Sequence, residues 1–109
     1  MAVIRVPLDG VKDWTSAHAA LAEALRFPPY YGSNGNAFID CLTDITHGSD
    51  VPPLLRPDET LTIDLGVTRS HPEPFREVTD AVCAWVAFVN WRDMEKGLPA
   101  RVMVASRGR

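Results

Sequence analysis

Two cysteines, Cys41 and Cys83, are all that the 109-residue chain contains, and their spacing matches no metal-binding motif. A disulfide scaffold and a thiolate metal site are therefore excluded as organising principles. A basic excess is missing too. Eleven Lys plus Arg stand against fourteen Asp plus Glu, a formal charge of -3, so a phosphate backbone would be weakly repelled rather than gathered. Nucleic acid is not the expected partner, and a protein with a basic surface is. No apolar run reaches the roughly twenty residues that a membrane span needs. The opening "MAVIRVPLDG" puts Arg5 and Pro7 where a signal peptide requires an unbroken apolar core. A cytoplasmic chain with free thiols is the expectation. Glycine-rich phosphate loops and nucleophile elbows are also lacking, which argues against an enzyme and against a cofactor. His18, His47 and His71 are scattered without ligand-spaced partners, so they are expected to be solvent-exposed rather than metal-bound. His47 with Asp50 is the one near pair, and it has no third ligand.

What is present is ordinary globular composition, 46% hydrophobic and 23% charged, enough for a single domain over residues 1–109 with a packed core. "AVIRV", Ala2 to Val6, is a β-branched run closed by Pro7 and the Asp9-Gly10 turn, and reads as a strand. Trp14, Ala17, Leu21, Ala24 and Leu25 then recur at helical spacing behind the N-cap candidate Asp13, and Pro28-Pro29 stops that helix near Arg26. A second helix is expected from Gly35 or Asn36 to about Thr46, capped by Ser33 or Asn34. The proline-rich "VPPLLRPDE", Val51 to Glu59, reads as a connection. "LTIDL", Leu61 to Leu65, reads as a second strand, a helix follows from about Glu73 to Lys96 with Gly97 as its stop, and "RVMVA", Arg101 to Ala105, is a third strand before a frayed "SRGR" tail. This order predicts an α/β fold of two layers, a three-stranded parallel sheet covered by helices.

On the second helix Ala37, Phe38, Cys41, Leu42 and Ile45 fall on one arc, which makes Cys41 a small buried hydrophobe. Asn36, Asp40, Thr43, Asp44 and His47 fall on the other. Asp40 and Asp44 stack one turn apart with no cation on their own helix, and Ile39 lies nearer this polar arc than the core. Two readings fit: a solvated face with one stray isoleucine, or an interface for a cationic partner. In the final helix Trp85, Val86, Phe88, Val89 and Trp91 are apolar around much of the circumference. They suit a central core helix, with Cys83 among its buried residues, or a helix that exposes Phe88 or Trp91 as a dimer or partner surface.

The run "FPPYYGSNGNAFIDCLTDI", residues 27–45, resembles the barstar family, the protein inhibitors of small secreted ribonucleases of the barnase type. The resemblance implies that the second helix and its leading loop form the inhibitory surface. Tyr30 and Tyr31 would be the loop aromatics, Gly32 and Gly35 would let the backbone lie close to the partner, and Asn34 would be the loop asparagine. Tyr31 could equally pack down as a hydrophobic staple for the helix. Asp40 would enter the ribonuclease active site. Asn36, Ile39 and the Asp44-Ile45 pair depart from the family pattern, which has aspartate, tryptophan and Gly-Trp there, and with Thr43 they complete the expected binding face. Glu73 is the candidate for a further interface acid. The function implied is a cytosolic immunity protein, monomeric when free, whose partner is a ribonuclease with a basic site. The alternative is an interaction module for a different toxin nuclease or a regulatory protein.

Overall fold

A computed structural model describes residues 2–8, 11–29, 31–47, 59–67 and 74–107. Tyr30, Asp50, His71, Glu73 and most of the proline-rich connection lie outside the described residues. The elements run β1 (Ala2–Arg5), α1 (Trp14–Leu25), α2 (Gly35–Thr46), β2 (Leu61–Val67), α3 (Pro74–Glu95) and β3 (Val102–Arg107). The three strands pair in parallel in the order β1-β2-β3. The α/β class, the parallel sheet and its helical crossovers are those the sequence predicts.

Local chemistry sets the element ends. Asp13 caps α1 through a bond from Ser16 N at 2.8 Å, and Ser16 Oγ accepts in return from the Asp13 amide at 3.1 Å. The helix stops at Arg26, which takes left-handed backbone (φ 57°) so that the amide of Phe27 reaches Ala22 O at 2.9 Å. At the end of α3, Gly97 (φ 78°) closes the same motif, with Leu98 N on Asp93 O at 2.8 Å. Two strands run on beyond their expected ends. β2 runs on to Val67 because Gly66 (φ 75°) bends the chain and shifts the register, its amide held by Asp64 Oδ1 at 2.8 Å. β3 takes in Ser106 and Arg107, half of the tail expected to fray, because the extended β2 supplies a partner, with Val67 opposite Arg107.

The strands bury one face. Leu61, Ile63 and Leu65 point at the helices, while the alternate Thr62 and Asp64 do not. Against that face pack Ala17, Leu21 and Leu25 of α1, Phe38 and Leu42 of α2, and Val78, Val82, Val86 and Val89 of α3. On α3 the valine spacing defines a single buried stripe, so the helix is not core all round. Phe88 and Trp91 are exposed, and so is Cys83, which corrects its expected burial. Cys83 falls one residue past the stripe position Val82, which turns it outward.

Candidate protein-binding site on α2

Helix α2 is held at both ends. At its start Asn34 is the N-cap, its Oδ1 accepting from Ala37 N at 2.8 Å and its amide nitrogen donating to Gly32 O at 3.3 Å. Ser33 takes the left-handed position (φ 53°) that turns the loop into this cap. Beneath the first turn lies Trp85 of α3. A Cβ added to Gly35 would stand 2.7 Å from Trp85 Nε1 and 2.8 Å from Cε2. Gly35 is thus glycine because an indole occupies its side-chain space.

Trp85 belongs to a cluster of rings that joins three helices. His18 stacks on it at 5.9 Å, Phe38 meets it at 5.2 Å and Trp14 at 6.1 Å. Tyr31 packs on Phe27 at 4.9 Å and is hydrogen-bonded through its hydroxyl to His18 Nδ1. Tyr31 thus staples the loop to α1, one of the two roles open to it, and stays only half-buried. Burial pushes its phenol well above the ordinary range and pulls the His18 imidazole below its ordinary value. His18 is 5% exposed, which corrects the expectation of a solvated histidine. Its i+4 relation to Trp14 was visible in sequence, but the α3 and loop partners that bury it were not.

The far end of α2 is tied down by side chains from later in the chain. His47 Nε2 meets the buried Asp93 carboxylate at 2.8 Å. Arg101 Nη1 donates to Thr46 O at 2.6 Å, satisfying one of the carbonyls a helix end leaves open, and Arg101 Nε donates to Glu59 O at 3.0 Å. Arg92 Nη2 donates to Thr43 Oγ1 at 3.1 Å, and that hydroxyl donates to Ile39 O at 2.7 Å.

Between these anchors the outward arc carries Asn36, Asp40 and Asp44, all exposed, with Thr43 half-buried beside them. Neither Asp40 nor Asp44 is ion-paired among the described residues. Gly32 and Asn34 are exposed at the loop end of the same helix. Ile39 is the exception to the helical wheel: it is partly buried and packs on the core cluster, since α3 closes over that side of α2. Cys41 is buried, and desolvation, with Asp44 and Asp40 nearby, pushes its thiol pKa up, so it is held as a protonated thiol. No group of three or more metal-ligating side chains occurs among the described residues. What this surface offers chemically is fixed carboxylates, accepting hydrogen bonds, on a braced helix.

A family model described as Barstar (barnase inhibitor) matches residues 1–63, more than half of the chain, and the chain belongs to that family. The matched span takes in β1, α1, the loop and all of α2, which places the acidic arc inside it. Comparison with curated proteins gives no match.

Proposed function

We propose that this chain is a cytoplasmic immunity protein that binds the active site of a small secreted ribonuclease of the barnase type and blocks it. A ribonuclease that cleaves through a 2′,3′-cyclic phosphate must hold phosphate with arginine, lysine and histidine, so its empty site is a cluster of positive charge. A carboxylate on a rigid helix can take the phosphate's place. Asp40 carries the reading: it is exposed, unpaired among the described residues, and set on a helix capped by Asn34 and tied to α3. A carboxylate held this way accepts charge-assisted hydrogen bonds without first losing much conformational freedom. Asp44, one turn on, supplies attraction at longer range. Membership of an inhibitor family supports the class of partner.

The test is RNA cleavage by a panel of barnase-type ribonucleases with and without one equivalent of this protein. Loss of cleavage at one to one is expected for at least one member. Full activity across the panel, with the protein folded, would move the assignment to a partner outside that class.

A further inference from the structure

Helix α3 buries its valine stripe and yet leaves two large rings in solvent, Phe88 at 42% and Trp91 at 53% exposure. The rings touch each other, centroids 5.9 Å apart. The Arg92 guanidinium lies over Phe88 at 5.3 Å and reaches across the helix seam to Thr43 of α2. Thr43 stands on the polar arc between Asp40 and Asp44. A chain of direct contacts, Trp91 to Phe88 to Arg92 to Thr43, therefore makes the aromatic pair continuous with the acidic surface. Arg92 pairs with neither carboxylate, and its bond to Thr43 uses one N–H of a planar fork suited to bidentate carboxylate binding.

We propose that the partner-binding surface extends across this seam. Phe88 and Trp91 seat an apolar shelf of the ribonuclease, and Arg92 takes a carboxylate that flanks the enzyme's basic phosphate site. The charge pattern specifies that partner: cations opposite Asp40 and Asp44, and an anion beside them across the α2–α3 seam. A uniformly basic surface would meet Arg92 as a repulsion, so Arg92 acts as the selector among ribonucleases that share a phosphate site. This extension rests on the ribonuclease reading of α2.

The experiment measures Kd for a ribonuclease that the wild-type chain inhibits, using Trp91→Ala, Arg92→Ala and Arg92→Glu, with thermal melts to verify the fold. Trp91→Ala is expected to weaken binding about tenfold or more, the effect of losing an aromatic hot spot. Arg92→Glu should weaken it further than Arg92→Ala, and changing one acidic residue beside the ribonuclease's site to lysine should restore it. All three variants binding within about twofold of wild type, below the loss of even a minor hot spot, would overturn the extension and leave the Asp40 reading standing. A free-chain dimer that Trp91→Ala disperses would also overturn it, by giving the rings to a second copy. Wild-type protein inert toward every ribonuclease in the panel would overturn both, a result told apart because the variants then have no binding to lose.

Discussion

At the scale of single residues, the proposed function gives Asp40 and Asp44 different roles although their chemistry is the same. A carboxylate seated among fixed cations is desolvated and its removal leaves those cations unpaired, whereas an ion pair at the rim contributes about 0 to 1 kcal/mol. Asp40→Ala should therefore weaken binding by roughly 2 kcal/mol or more, chiefly through faster dissociation, and Asp44→Ala far less and chiefly through slower association. Stopped-flow and dissociation rates for the two variants distinguish this from a generic acidic patch, which would give equal small losses. His18 sets a pH dependence of stability. Its folded pKa is lowered by desolvation while the unfolded value is the ordinary 6.5, so below that value the unfolded chain takes up the proton first. The groups packed on its ring are Tyr31, Trp14 and Trp85, and none offers a compensating negative charge. Stability should be full above about pH 6.5 and fall as the pH drops below it, and the fall should shrink in His18→Gln. Chemical denaturation of both proteins between neutral and mildly acid pH would check this.

At the scale of elements, helix α2 is positioned by contacts that join distant parts of the chain. Gly35→Ala would drive a methyl against the Trp85 indole, itself hemmed in by His18 and Phe38, so that relief must come from a backbone shift at the start of α2. A loss of about 1–3 kcal/mol in stability is expected, as for overpacked cores, and a melting curve reads it directly. The same contacts explain what the sequence made legible. Helix spans, the Asp13 cap, the stop at Gly97 and the strand order follow from local signals, and each was readable. So was the arc of Asn36, Asp40 and Asp44, because a helical period fixes which residues share a face. The Trp85–Gly35 contact, the Tyr31–His18 bond and the Arg92–Thr43 bond were not readable, since each joins segments that only the tertiary fold brings together. For that reason the Trp85 contact of Gly35 and the partial burial of Ile39 did not show in the sequence. Cys83 misled in the opposite direction, and the sequence left Phe88 and Trp91 open between core and surface: an apolar-rich helix hides which of its residues form the buried stripe.

For the whole molecule, a net charge of -3 together with the unpaired Asp40 and Asp44 on the outward arc of α2 should produce steered association with a basic site. The association rate with an inhibited ribonuclease should fall as salt rises from about 0.01 to 0.15 M, over which the screening length drops from roughly 30 to 8 Å. A flat response would mean that the acidic arc is only solvated. The fold beneath is a frame for this surface: one sheet face carries the core, and α3 lies between sheet and solvent, gripping α2 through Trp85, Arg92 and Asp93. The central claim is that Asp40 takes the place of a phosphate, and competition tests it most directly. Binding of the wild-type chain to an inhibited ribonuclease should be displaced by a nucleoside 3′-monophosphate that fills the enzyme's phosphate site, with apparent Kd rising in proportion to nucleotide. Residual binding by Asp40→Ala should respond far less. A complex whose wild-type affinity is unchanged by saturating nucleotide would contradict the account, because inhibitor and phosphate would then occupy different places.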